Sequence, residues 1–167
     1  MNGDSEHAAA LVRAAQRGDR MAMHDLLDLL APYVGRICGP IALDDGPDAA
    51  QEALIAIFRG IRGLRDPAAV FGWARSIAIR EAIRMARRSQ HTRATDLDDV
   101  PQPGDPLLAA DVRDVLCRLS PEHRAVLVLR DLEGHGERAV GELLEISTGT
   151  VKSRLHRARL SFRKAWR

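Results

Sequence analysis

Residues 90–107 break the pattern of this chain in a way that limits every possible fold. They hold Pro101, Pro103 and Pro106, Gly104 and a run of acids, and no periodic apolar residues. A structureless stretch of that length is unusual inside one compact domain. The stretches on either side repeat apolar residues at helical spacing, without the alternation a half-buried strand needs. The expected fold is therefore all-α: two small helical domains, over 5–90 and 108–167, joined by a flexible acidic and Pro-rich linker over 91–107.

The first half divides at its turn signals. A helix over 5–16 ends at Gly18-Asp19. The next starts near Arg20 and runs toward Cys38, with Leu26, Leu27, Leu30, Val34 and Ile37 on its apolar stripe; Pro32 is expected to bend or break it. After Asp44-Asp45-Gly46-Pro47 comes a helix from Asp48 to about Arg62, with Ala50, Leu54, Ile57, Phe58 and Ile61 inward. A loop over 63–70 precedes a helix from about Phe71 to Arg88, with Ile77, Ala78 and Met85 inward.

The second half begins with a helix over about 108–118. Ser120-Pro121-Glu122 is a helix start, with Ser as N-cap, Pro at the first helical position and an acid in the first turn. That helix should run to about Leu132. A short helix over 137–144, a turn through Glu145-Ile146-Ser147 and a long basic helix from about Thr148 to Trp166 complete the chain.

Net charge is only +2, but the charge is segregated. Residues 150–167 carry seven Lys or Arg and no acid, and residues 71–93 carry six Arg and one Glu. Acids gather instead at Asp44, Asp45, Asp48 and Glu52, and from Asp96 to Asp111. Two basic segments separated by acidic ones suit a chain that meets a polyanion at two places, though solvated helix faces have the same charge pattern. Nearly all the cations are Arg, which makes bidentate contacts to phosphate or guanine that Lys cannot.

Two short helices joined by a tight turn, the second basic, describe a helix-turn-helix. Val140, Leu143 and Leu144 of the first, and Val151, Leu155, Ala158 and Phe162 of the second, form the buried side. Thr150, Lys152, Ser153, Arg154, His156, Arg157 and Arg159 fall on the other. An exposed basic helix of this kind suits the major groove, although a basic helix closing a bundle carries similar charge.

The stretches LSPEHRAVLVLRDLEG (119–134) and ELLEISTGTVKSRLHRAR (142–159) resemble region 4 of the extracytoplasmic-function (ECF) sigma factors of the sigma-70 family. The first half resembles region 2: Gly18-Asp19-Arg20 opens it, Asp48-Ala-Ala-Gln-Glu52 fits the D-x-x-Q-E motif, Trp73 and Ile77-Ala78 fit W-x-x-x-I-A, and Arg87-Arg88 closes it. The chain departs from the family at Arg80 and Arg84, where Asn and Asp are common, and at Gly141, where Ala is. Gly136-Glu137-Arg138-Ala139 also replaces the usual start of the first helix of the helix-turn-helix.

The resemblance implies a cytoplasmic subunit of RNA polymerase. Asp48, Gln51 and Glu52 would dock on the β′ coiled coil, and the β flap is a second expected contact. Trp73, Arg75, Arg80, Arg84, Arg87 and Arg88 would engage the −10 element of promoter DNA, with the loop Leu64–Val70 shaping its base pocket. Trp73 suits a core position equally well. Thr150, Lys152, Ser153, Arg154, His156 and Arg157 would engage the −35 element, Arg154 through phosphate or packing. An anti-sigma factor is a further possible partner. A stand-alone helix-turn-helix regulator, or a sigma-like decoy that binds an anti-sigma factor, are the alternatives; the first leaves the Asp48–Glu52 motif unused, and the second predicts an eroded recognition helix.

No enzyme is expected, since there is no HExxH pairing, Walker loop or nucleophile elbow. Neither cofactor nor metal is expected; Asp44, Asp48 and Glu52 lack a further ligand. Cys38 and Cys117 lie far apart and read as buried free thiols of a reducing compartment. There is no signal-peptide core, and no apolar run is read as long enough to cross a membrane.

Overall fold

The computed structural model describes residues 2–95 and 108–166, and all of their regular structure is helical. The chain is all-α and forms two helical units. Four helices make the first: α1 (Asn2–Gln16), α2 (Arg20–Ala42), α3 (Gly46–Gly60) and α4 (Val70–Thr95). Four make the second: α5 (Leu108–Cys117), α6 (Pro121–Leu127), α7 (Glu137–Leu144) and α8 (Thr148–Trp166). Helix α4 continues through Thr95, so the backbone over 91–95 is helical where composition reads as linker. The rest of the expected linker, residues 96–107, lies outside the described residues.

Helix α2 runs unbroken through Pro32 and Pro40. Pro32 lies on the exposed side, so the carbonyl its missing N–H leaves unbonded faces water rather than the core. Asp19 starts this helix by accepting from the N–H groups of Met21 and Ala22 at 3.0 and 3.1 Å. By length and composition alone the helical stretch Arg20–Gly63 is long and apolar enough to cross a membrane, contrary to the expectation from its sequence. Its apolar residues are spent inside the bundle: Leu26, Leu30, Val34, Ile37 and Ile41 are fully buried with Ile57, Ile61 and Ile79 from α3, the turn after it and α4. Close approach of backbone accompanies this packing. A Cβ on Gly46, at the start of α3, would stand 2.9 Å from the Gly39 Cα of α2.

Two buried positions expected from the sequence are exposed. Phe58 is 53% exposed, because Ala53, Ile57 and Ile61 already fill the side of α3 that faces α2 and α4. Cys117 is also exposed, at the end of α5, whereas Cys38 is buried. The Cys38 thiol donates to the Ala78 carbonyl at 3.5 Å, and burial, with Glu81 nearby, pushes its pKa up to about 12.

The second unit is built on α8, whose Val151, Leu155 and Ala158 are buried. Ser120 caps α6, accepting from the His123 N–H at 3.3 Å. The expected single helix to Leu132 changes pitch: Val128–Leu132 form a π-helical turn, closed by the Glu133 N–H bonded to the Val128 carbonyl at 2.9 Å.

The units pack against each other. Arg124 of α6 is only 3% exposed. Its Nε donates to the Ile41 carbonyl at the end of α2 at 2.7 Å, and its Nη1 to the Leu116 and Leu119 carbonyls at 3.2 and 3.1 Å. A buried charge is tolerated when its donors are met, and helix C-terminal carbonyls attract cations. One guanidinium thus ties the end of α2 to the end of α5. Arg113 pairs with Asp44 across the same boundary.

Candidate nucleic-acid and polymerase interfaces

The helix-turn-helix is tight at its turn. The Ile146 N–H bonds the Gly141 carbonyl at 2.9 Å, and Glu145 takes a left-handed backbone (φ 56°). A Cβ at Gly141 would stand 2.8 Å from the Ile146 oxygen, so the glycine that weakens α7 is what lets the turn close this far. The Ser147 hydroxyl accepts from the Thr150 N–H at 3.1 Å and shares a hydrogen bond with the Thr150 hydroxyl at 2.8 Å. Thr150 is therefore engaged in starting α8. Lys152, Ser153, His156 and Arg157 stand exposed on the outer side, while Arg154 is half-buried.

Neighbours tune this face. Lys152 lies 3.7 Å from Glu137, and Arg159 grips Asp131 through two bonds of 3.1 and 2.5 Å. Partial burial, then Arg154, holds the His123 pKa below the usual imidazole value; Arg157 acts in the same direction, against Glu122. Beside the recognition helix lies an apolar groove of about 620 Å³ that sequence reasoning missed. Leu116, Leu127, Leu132 and Phe162 line it, with Arg159 and Arg163 at its rim, and Leu132 is 71% exposed. The exposed leucine just before the Gly134 turn was the available signal.

On α4, Trp73, Arg80, Arg84, Arg87 and Arg88 share one side, at spacings of three, four and seven residues. The indole of Trp73 is partly buried and packs on α3, where a Cβ at Gly60 would meet it at 3.0 Å. Arg84 is held by Glu81 at 2.5 Å and stands 3.9 Å from Glu52; Arg87 pairs with Glu122 of α6 at 2.5 Å; Arg80 is 3.8 Å from Glu145 at the end of α7. Glu122 stays below the usual carboxylate range: burial would raise it, but its backbone N–H and Arg87 outweigh that. Arg75 does not belong to this face. Two residues past Trp73 it points the other way, donating to the Tyr33 hydroxyl at 2.7 Å.

Asp48, Gln51 and Glu52 are all exposed on one side of α3, and Pro47 occupies the first turn. Nothing from the second unit within the described residues pairs with Asp48 or Gln51, so the acidic surface is open.

A family model described as "Sigma-70, region 4" matches residues 109–161, the helix-turn-helix unit just described. The chain is 32% identical over 162 residues to the ECF RNA polymerase sigma factor SigM of Mycobacterium tuberculosis, covering 90% of this chain and 80% of SigM. The chain belongs to the ECF RNA polymerase sigma factors. It is also 28% identical over 170 residues to the ECF RNA polymerase sigma-E factor of Haemophilus influenzae, covering 90% of each. In fold, this ECF sigma factor is similar to the sigma factor RpoE of Bartonella quintana, solved with the anti-sigma factor NepR (TM-score 0.64, 20% identity, 85% of this chain and 94% of that one). It is similar also to CnrH, solved with the cytosolic domain of CnrY (TM-score 0.64, 20% identity, 95% and 96%).

Proposed function

We propose that this sigma factor joins core RNA polymerase to promoter DNA through four surfaces. The domains are assigned as 5–90 for region 2, 91–107 for the linker and 108–167 for region 4, and the protein works in the cytoplasm, where core enzyme is. Asp48, Gln51 and Glu52 dock on the β′ coiled coil, an acidic face against a basic helix pair. The groove between α5, α6 and α8 receives an apolar element such as the β flap, or an anti-sigma segment that competes with it.

Lys152, Ser153, His156 and Arg157 read the −35 element in the major groove, with Thr150 and Arg154 setting the helix and its phosphate contacts. Trp73, Arg80, Arg84, Arg87 and Arg88 meet the opened −10 strand, with the loop Leu64–Val70 as the base pocket. Arg75 supports this face from behind through Tyr33. The free energy of opening comes from binding single strand and core enzyme; the chain binds and does not catalyse.

The outward face of α8 supports this reading most strongly. Four side chains able to contact base edges stand exposed on a capped helix beside a closed turn, which is not what a decoy would keep. The test is transcription in vitro with core enzyme on a genomic library, mapping start sites. The wild type should give discrete starts behind a shared upstream element. Arg157→Ala should weaken that element by about 1–3 kcal/mol; unchanged start-site selection would remove Arg157 from the −35 assignment.

A further inference from the structure

Lys152, His156 and Arg159 fall on one flank of α8, at spacings of four and three residues, and all three line the apolar groove beside it. Asp131 and Glu137 line the same groove. Glu137 lies 3.7 Å from the Lys152 ammonium, and its own side chain is only 35% exposed. Asp131 holds Arg159 through both oxygens, at 3.1 and 2.5 Å. That bond raises the Arg159 pKa against slight burial, and the charges of Asp131 and then Glu137 add to it, so Glu137 acts on both cations. Ser153 and Arg157, on the outermost line of the helix, have no ion-pair partner among the described residues. Glu137 opens α7, in the stretch Gly136–Ala139 where this chain departs from its family. The α7 dipole accounts for an acid in that turn; it does not account for one placed beside a base-reading lysine.

The pair gives Lys152 different worth at two kinds of site. On an arbitrary duplex α8 is held by phosphates, and each cation free to meet one adds affinity without sequence information. Lys152 is withheld from that contact, since reaching a phosphate means parting from Glu137. At a cognate −35 element the helix seats, and the same ammonium meets a base edge, such as guanine O6 and N7, which offsets the parting. We infer that Glu137 is a specificity-determining residue of −35 recognition, restraining Lys152 from phosphate so that its charge counts only at the cognate sequence. This rests on the −35 reading of α8. Glu137 touches no base; it is a positioning residue that acts through Lys152, and discrimination comes from weakening the wrong complex.

The test uses holoenzyme assembled from core and the full chain, transcribing a mixed library in which the −35 region is randomised and the −10 region is fixed. Yields are compared between templates within one holoenzyme, so a change in affinity for core cancels. Glu137→Gln should narrow the ratio of best to scrambled −35 templates by about threefold, the scale of one surface pair. It should also steepen the salt dependence of the scrambled templates by about 1 in log slope. Lys152→Gln should lose the preference at one −35 position, and adding Glu137→Gln to it should change nothing further. A second library with only the −10 region randomised should give wild type and Glu137→Gln the same profile. An unchanged −35 ratio in Glu137→Gln would overturn the inference. So would the same narrowing with Lys152→Gln already present, which would make Glu137 a helix-start residue only, or a −35 profile that Lys152→Gln leaves intact. If wild-type holoenzyme shows no −35 preference while still selecting −10 sequences, the −35 reading falls and the role of Glu137 with it.

Discussion

On α4, three of the arginines proposed to meet DNA already hold a carboxylate: Arg80 with Glu145, Arg84 with Glu81, Arg87 with Glu122. On α8, the outermost side chains proposed to read bases, Ser153, His156 and Arg157, have no ion-pair partner among the described residues; Lys152 leans toward Glu137, and Arg159, further along the helix, holds Asp131. Equal cationic character thus leads to different readiness. A phosphate arriving at α8 gains its full interaction, while one arriving at α4 must displace a pair already made. Two of the carboxylates on α4 come from the second unit, so the freedom of the −10 face depends on where that unit sits.

Four changes would break or sharpen this contrast. Arg124→Leu acts most strongly, because the Ile41, Leu116 and Leu119 carbonyls lose one shared donor. It should cost about 3 kcal/mol in urea unfolding and should raise amide hydrogen exchange at the end of α2. An unchanged midpoint would mean the units are joined by something else. Next, Arg157→Ala should weaken promoter binding more than Arg87→Ala, since removing Arg87 also removes the cost of parting it from Glu122. Fork and duplex affinities measured separately would show the order, and the reverse order would erase the contrast.

Glu122→Gln is gentler. It frees Arg87 and should tighten binding of a single-stranded −10 oligonucleotide by less than about 1 kcal/mol, the usual scale of a surface pair, with duplex −35 binding unchanged. The smallest effect is on pH. His123 and His135 both have their pKa held below that of an ordinary imidazole, about 6.5, His135 by burial and then by Arg75 across the unit boundary. The unfolded chain therefore takes up protons first as pH falls through 6.5, and stability should decline from there downward. His123→Gln with His135→Gln should flatten that decline in thermal melts at constant ionic strength.

Much of this was legible in the sequence. The helix-turn-helix boundaries matched at 137–144 and 148–166, because Gly136 and Ser147 punctuate an unambiguous apolar pattern. The Ser120-Pro121 start was equally plain. The misses have physical reasons. Phe58 looked buried because hydrophobicity alone does not say which side of a crowded helix is already full. The residue type of Arg124 gives no signal of burial, although it sits three residues after buried Pro121 and four before buried Val128, on the inner side of its helix. Its partner, the Ile41 carbonyl, is 83 residues away and gives no local signal. Arg75 was grouped with the other α4 arginines by charge, when a count of 100° per residue already sets it apart from Trp73. Cysteine as a residue type favours burial, and the place of Cys117 at a helix end overrides that preference.

The direct test of the account is whether the purified chain associates with core RNA polymerase through the α3 carboxylates. Size-exclusion chromatography with fluorescently labelled protein should show wild type co-eluting with core enzyme and Asp48→Arg eluting alone, with both folded by circular dichroism. Wild type that elutes free of core with no inhibitor present, or Asp48→Arg that still co-elutes, would contradict it.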